Sequence, residues 1–388
     1  MFKRKNMNFE YVVIGAGLIG SAAGRYLSEK SDSVAIIGNA EPADIYAHKE
    51  NFGSHYDQGR ITRGLDSQAL WSELAIASLE AYAEIEEKSR IKFFFETGCL
   101  QVGPSPTKID DYIGKTAAVG FSHSLEFQNY SNLEYRSIRP ELAFPDGFAI
   151  LEEKVMSGYI NPRDLVQAQL NIATGQGATL IRQQVDNVAT GADGVTLTLG
   201  DGAVIQARKV LVAAGAWSEF LLGQSFGFEI KPRTILLARL GAEETERLAN
   251  IPAVILHHDD PERDVDSFYM LPPIQYPDGH YYLKIGCHLK DLYNPTSADE
   301  LNNWFKTIGS AREAAGLKEA IYGIIPGLQA EEIIYRTCVV TGTPDGNPLW
   351  KELEKDRLFI CAGGNGAAAK SSNEIGRRAA LMVTQVKE

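Results

Sequence analysis

The chain has 388 residues, with 38 lysines and arginines against 50 aspartates and glutamates, a formal net charge of −12. That balance excludes a broad basic footprint for nucleic acid or an anionic membrane surface, and no apolar run approaches the roughly 20 residues that a bilayer span requires. The length accommodates two domains, while four widely spaced cysteines, Cys99, Cys287, Cys338 and Cys361, argue against a disulfide or zinc framework and fit a reducing cytoplasm; no metal site is expected.

Phe2–Asn6 is basic like the start of a signal peptide, but the apolar run behind it is short and belongs to the first strand, so no signal is expected. Tyr11–Ile14 reads as a strand, Gly15-Ala-Gly-Leu-Ile-Gly20 as a tight turn and Ser21–Leu27 as a helix. Gly15 takes the turn's special dihedrals, Gly17 lets backbone approach a pyrophosphate, and Gly20 lets the helix pack on the strand. The helix N-terminus then faces an anion, and a dinucleotide is the expected ligand. The second strand, Val34–Ile37, ends at Gly38, where an acid that grips a ribose belongs. Asn39, Glu41 or the backbone alone are left for that task, and Glu41 reads equally well as a solvated loop residue.

Leu70, Leu74, Ala75, Leu79 and Tyr82 recur at helical spacing and predict a helix from Gln68 to about Glu87, capped by Asp66 or Ser67. Ser157–Asp164 leads into a helix from Leu165 to about Thr174 and a strand Ala178–Ile181, a βαβ element. Val195–Leu199, the turn Gly200–Gly202 and Ala203–Gln206 read as a hairpin, and Lys209–Trp217 as a further buried strand ending in small residues. Leu358–Gly366 repeats the strand and glycine-rich turn, followed by a helix through about Val386. Nucleotide-type elements near both termini and in the middle imply a discontinuous cofactor domain, residues 8–92, 150–222 and 336–388. The β-rich and aromatic-rich stretches 93–149 and 223–335 form a second, substrate domain over the cofactor.

Seven blocks in order, Gly15-x-Gly-x-x-Gly20, Gly53–Arg63, Gly158–Arg163, Ala213–Trp217, Lys284–His288, Cys338–Asp345 and Gly363–Lys370, resemble the flavin amine oxidases of the D-amino acid oxidase superfamily, in particular the sarcosine oxidase and N-methyl-amino-acid oxidase group. The resemblance covers nearly the whole chain. It implies an α/β fold (α+β in its two-domain sense), with a Rossmann-like FAD-binding domain and a β-sheet-rich substrate domain. It also implies FAD, a small carboxylate-bearing amino-acid substrate oxidised to an imine, O2 reduced to hydrogen peroxide, and a monomer.

The resemblance assigns roles residue by residue. Arg63 and Lys370 match the family's carboxylate-binding pair, and an Arg fork with a second cation suits that task. Ser54, His55 and Arg60 match positions near the flavin, as do Gly363 and Gly366 in the trailing turn. Lys284 matches the lysine on the flavin face opposite the substrate, where a cation would stabilise superoxide as it forms; an outward-facing lysine on an alternating strand is the competing reading. His288 matches an active-site histidine, Tyr269 a pocket tyrosine, and Cys338 the cysteine that joins the flavin through a thioether; otherwise Cys338 is a small buried hydrophobe, as the other three cysteines are read. Three departures, Tyr56 for a histidine, Val340 for a tyrosine and Ala367–Ala369 for bulkier residues, point away from sarcosine and toward a larger N-substituted or cyclic amino acid. Two alternatives stay open: a flavin amino-acid dehydrogenase with a non-oxygen acceptor, which does not require Lys284, and a flavin-binding subunit of a larger complex. A nicotinamide enzyme would leave Cys338 and the Gly366–Lys370 turn without a role.

Overall fold

The computed structural model describes residues 7–106, 110–260, 265–289 and 293–385; Phe2–Asn6 and the expected helix end at Val386 lie outside the described residues. Two eight-stranded sheets and one three-stranded sheet make up its framework. In the first sheet Met7–Ile14 lies parallel between Val204–Val212 and Val34–Ile37, and Val34–Ile37 pairs in parallel with Thr179–Ile181. Leu358–Ala362 adds to the far side of Val204–Val212, also in parallel. Strands covered on both faces read as unbroken apolar runs, and Val34–Ile37 and Leu358–Ala362 are buried at every position.

Helices Leu18–Ser28, Ala69–Ser89, Pro162–Gly175 and Ala368–Thr384 pack together, burying Ala23, Leu27, Leu74, Leu170, Ile375 and Val383 against the strand residues Val13, Ile36 and Leu211. Inside this layer the Arg25 guanidinium donates to Gln169 and to Asn373, so a buried cation is tied to neutral acceptors on two other helices.

The second sheet is mostly antiparallel and runs Ala330–Gly342, Glu229–Leu240, Tyr281–Leu289, Val265–Gln275, Ala253–His257, Cys99–Pro104, Phe148–Glu153, Gln128–Ser131. Helix Ala311–Ile324 covers one face, where Leu236, Leu283, Ile285, Leu317 and Ile321 share a core. A small sheet of Arg60–Thr62, Gly158–Ile160 and Phe94–Phe95 adds a third set of strands. The junctions expected at 149/150 and 335/336 fall inside Phe148–Glu153 and Ala330–Gly342, both hydrogen-bonded along their length into the second sheet. No helix among the described residues is long and apolar enough to cross a membrane.

Two expectations about elements are corrected. Val204–Val212 is one nine-residue strand, because it pairs with Gly194–Leu199 at its start and with Met7–Ile14 almost throughout. The helix after residue 66 is capped by neither Asp66 nor Ser67: its N-cap is Gln68, without a side-chain bond. The Asp66 carboxylate does accept from the Gln68 amide at 3.0 Å, but its other oxygen is drawn to Lys370.

Candidate active site

The glycine turn behaves as its spacing requires. Gly15 has φ +113°, and a Cβ there would sit 2.3 Å from the Ala213 carbonyl oxygen. A Cβ on Gly20 would lie 1.8 Å from the Gly15 oxygen, so the helix can approach the strand only without one. At Gly17 a Cβ would meet just His55 Nδ1, at 3.6 Å, leaving the turn's backbone open to the cavity. The helix that starts at Leu18 has neither a side-chain cap nor an acid in its first turn, so its free amide groups and dipole are available to an anion.

Gly38 is excluded as a ribose ligand by more than its missing side chain. A Cβ there would stand 2.7 Å from the Ala16 amide nitrogen. Glu41 is held by Arg163, whose Nε and Nη2 reach its carboxylate at 2.9 and 2.6 Å. Asn39 is the candidate left over: its Nδ2 donates to Asn51 O at 3.2 Å, and its Oδ1 is buried without a partner on the cavity wall. An orphaned buried acceptor is costly unless a ligand satisfies it, and a ribose hydroxyl would be a suitable donor.

From this turn a cavity of about 700 Å³ extends between the two large sheets. Gly15, Gly17, Ser54, His55, Arg60, Arg63, Tyr269, His288, Cys338, Gly363, Gly366 and Lys370 all line it; Gly20 and Lys284 do not. His55 packs against Tyr56, with ring centroids 4.2 Å apart, and its pKa falls to about 3 through desolvation, then the nearby arginines 163, 182 and 60, so it is neutral at physiological pH. Arg60 pairs with Asp57 and donates to the Ser54 carbonyl at 3.1 Å.

Lys284 is fully buried behind this wall. Its ammonium donates to Asp57 and, at 2.8 Å, to the Gly59 carbonyl, 5.7 Å from the Tyr269 ring centroid. Burial and then the Arg60 guanidinium drive its pKa well below the ordinary lysine value, while the Asp57 carboxylate in contact works the other way. Asp57, which also accepts from Tyr276 Oη at 2.9 Å, thus joins Arg60, Lys284 and Tyr276.

Arg63 and Lys370 are brought together, and between them stands a carboxylate that sequence reasoning read only as a helix cap. Asp66 Oδ2 lies 3.0 Å from Lys370 Nζ and 3.4 Å from Arg63 Nη2. Lys370 also donates to the Trp71 carbonyl at 3.0 Å, and Arg63 Nε is buried without a partner. Against its own desolvation, Asp66 is held below the usual carboxylate range by Lys370 and Arg63. Desolvation lowers Lys370 despite Asp66.

The remaining wall is a row across the second sheet. His257 pairs with Ser267, Ser267 with His288, and Arg233 with Cys338. Continuing the Glu229–Leu240 and Tyr281–Leu289 register two residues past Ile235 opposite Gly286 sets Arg233 across from His288. Ser267 Oγ and His288 Nδ1 are 2.9 Å apart, and His257 stacks on Tyr112 at 3.8 Å. Both histidines have their pKa lowered to about 4, chiefly by desolvation deep in the protein, with Arg233 the next cause at His288. His288 nevertheless presents its ring to the open cavity. Tyr269 lies over Gly286, whose added Cβ would be 2.3 Å from the phenol oxygen, and burial pushes that phenol's pKa up. Cys338 is half-buried on the wall; Cys99, Cys287 and Cys361 are buried, and of these Cys287 also reaches the cavity.

A parallel-centred sheet with a glycine turn at a helix N-terminus faces a mostly antiparallel sheet across a cavity lined by four cations, an arrangement suited to a dinucleotide and an anionic ligand. Residues 10–382 match the DAO family, FAD dependent oxidoreductase, and the chain belongs to that family. It is 25% identical over 384 residues to monomeric sarcosine oxidase of Bacillus sp. (strain NS-129), covering 97% of this chain and 93% of that protein. It is 27% identical over 232 residues, 56% of each chain, to N-methyl-L-tryptophan oxidase of Yersinia pestis (strain Pestoides F). Among solved structures the fold is similar to that of NikD, described as an unusual amino acid oxidase essential for nikkomycin biosynthesis, with TM-score 0.77, 18% identity and coverage of 99% of this chain and 95% of that one. L-proline dehydrogenase from P. horikoshii gives TM-score 0.75 at 17% identity, over 99% and 95%.

Proposed function

We propose that this chain oxidises an amino acid at its C–N bond to the imine, with FAD as resident cofactor and O2 as electron acceptor. The observation that carries this reading is that half-buried Arg63 and buried Lys370 open onto the same cavity as the Gly15–Gly20 turn. One substrate carboxylate held by those cations is thereby placed beside whatever the dinucleotide cleft holds.

The residues present suit FAD. The backbone around Gly17 and the amides of the Leu18–Ser28 helix would hold the pyrophosphate, Asn39 Oδ1 the ribose, and His55, Arg60 and the Gly363–Gly366 turn the flavin end. Cys338 is proposed as the covalent attachment point. Held by these residues, FAD would supply a two-electron acceptor for the hydride of the substrate C–H, the amine N–H proton leaving to solvent and the electrons passing on to O2. The side chains contribute position more than acid–base chemistry: Arg63 and Lys370 orient the carboxylate, sharing it with Asp66, and Tyr269 limits the depth of the pocket. His257 and His288, neutral above about pH 4, add hydrogen-bonding capacity without further positive charge. The first sheet is assigned to the cofactor and the second to the substrate.

The test is peroxide release by the purified flavoprotein across a panel of N-methyl, cyclic, D- and dicarboxylic amino acids. Peroxide with none of them, together with flavin reduction by one of them under anaerobic conditions, supports the dehydrogenase reading instead. One observation favours that second reading: Lys284 stands off the cavity wall, held by Asp57 and Gly59.

A further inference from the structure

We infer that Arg233 is a second anion-binding point in the substrate cavity, and that the substrate is an amino acid carrying a second carboxylate. This rests on the proposed function, in which Arg63 and Lys370 take the first carboxylate. Four cations line the cavity, Arg60, Arg63, Arg233 and Lys370. Arg60 is paired with Asp57, and Arg63 and Lys370 share Asp66. Arg233 is 6% exposed, makes no ion pair among the described residues, and leaves its buried Nε without a partner. Among the described residues its one side-chain hydrogen bond runs from Nη1 to the carbonyl of the preceding Pro232, at 3.3 Å.

Glu313 senses the guanidinium without pairing with it: its Oε2 accepts from the Thr234 amide at 2.8 Å, and its Oε1 is buried without a partner. The Thr234 side chain accepts from the Ser310 amide at 2.8 Å, on the helix side of the strand. Strand alternation therefore turns Arg233 to the opposite face, toward the cavity. A buried guanidinium without a counter-charge is costly, and the cost is relieved when a ligand brings the charge.

The cation positions describe the ligand. Arg63 and Lys370 share Asp66, with the Glu153 carboxylate acting on both from the amides of Gly64 and Leu65, and Arg233 adds a further cation beside Cys338 and His288. The sheet register orders the wall, Arg233 beside Cys338 and His288, then Ser267, then His257, and the Asp266 carboxylate next to Ser267 in sequence acts on both histidines against the arginines. A molecule with a carboxylate at each end and the amine between them matches both charges across the histidine row. The planar fork of a guanidinium favours a carboxylate there, held by two parallel bonds.

The holoenzyme tests this through the flavin absorbance change on titration with acetate and propionate, with malonate, succinate and glutarate, and with phosphonoacetate. In the unmodified protein one dicarboxylate should bind at least roughly 30-fold more tightly than the monocarboxylates, the low end for a buried charge-assisted pair. Arg233→Met should erase that preference while shifting the monocarboxylates less than about threefold, and Arg233→Lys should restore part of it. Absence of any dicarboxylate preference in the unmodified protein overturns the inference without recourse to a variant. Equal weakening of both ligand classes by Arg233→Met and Arg233→Lys overturns it too, making Arg233 a support for flavin or sheet. Phosphonoacetate outbinding every dicarboxylate, with the margin dependent on Arg233, overturns the carboxylate assignment. Failure of the underlying reading looks different: monocarboxylates then bind to Lys370→Met as they do to the unmodified protein.

Discussion

Asp66→Asn separates two roles that a carboxylate inside the proposed carboxylate site can have. Asp66 stands where it neutralises Lys370 and Arg63, at 3.0 and 3.4 Å, so in the free protein it competes with any ligand carboxylate for the same two cations. Asparagine keeps the shape and the acceptor for the Gln68 amide while removing the charge. Breaking a buried ion pair from one side costs about 3–5 kcal/mol, because the charge left behind is uncompensated. A bound carboxylate supplies that charge again, so part of the cost returns as affinity. Monocarboxylate inhibitors should therefore bind Asp66→Asn roughly 10- to 100-fold more tightly, about 1.4 to 2.8 kcal/mol, while the ligand-free holoenzyme unfolds at lower temperature. Lys370 and Arg63 hold Asp66 below the usual carboxylate range, so it stays charged through ordinary assay conditions and no pH change mimics the substitution. Titration of the flavin absorbance and thermal unfolding, with and without saturating inhibitor, read the two effects. Weaker inhibitor binding in Asp66→Asn would refute the competition argument and make Asp66 a positioning group for Arg63 and Lys370.

Four other outcomes are expected. Cys338→Ala should release all FAD on acid precipitation, whereas Cys99→Ala should leave attachment as in the unmodified protein; flavin that stays bound in the Cys338→Ala pellet places the link elsewhere. Lys284→Met should slow reoxidation of the reduced flavin by roughly 100- to 1000-fold, the usual range for one lost preorganised electrostatic contact, with a much smaller change in anaerobic reduction; stopped-flow traces in which both half-reactions fall together assign Lys284 to structure. Asn39→Ala should weaken FAD binding to Cys338→Ala protein by about tenfold, the value of one hydrogen bond near 1 to 1.5 kcal/mol, as read by flavin fluorescence on dilution; unchanged affinity removes Asn39 from the ribose. His55 and His257 have native pKa values of about 3 and 4, below the ordinary 6.5. As pH falls below about 6.5 the unfolded chain takes up protons first, so the unfolding temperature should decline from there toward pH 4 and be flat just above it; a His55→Gln, His257→Gln protein with the same slope would show that other groups set it.

The parallel half of the fold was legible because its signals are local. An unbroken apolar run such as Val34–Ile37 announces a strand buried on both faces, Gly20 is fixed by the Gly15 carbonyl within the same turn, and Gly15 by its left-handed backbone there. What failed was continuity and capping. Val204–Val212 looked like two strands because partners change along it, from Gly194–Leu199 to Leu358–Ala362, a property of neighbours more than of the segment. Asp66 carries the residue type and spacing of a cap, but its charge is worth more beside two cations than beside one amide.

The same distinction divides the site. Arg63, Lys370, His288 and Cys338 could be picked out because each lies in a run of residues with a recognisable pattern. Arg233 lies in Glu229–Leu240, whose sequence reads as an ordinary mixed strand, and nothing within a few residues says that its guanidinium lacks a partner. That fact is a sum over the fold. It requires knowing that Asp57 is spent on Arg60 and Lys284, that Asp66 is spent on Arg63 and Lys370, and that Glu313 lies across the sheet on the Thr234 amide. Lys284 makes the converse case. Its apolar strand correctly marks a cation buried at a cost, but the carboxylate that keeps it there comes from Asp57, 227 residues away in sequence. Charges that a protein buries are matched in three dimensions, so which cation is left over for a ligand can be read only after every pair has been assigned.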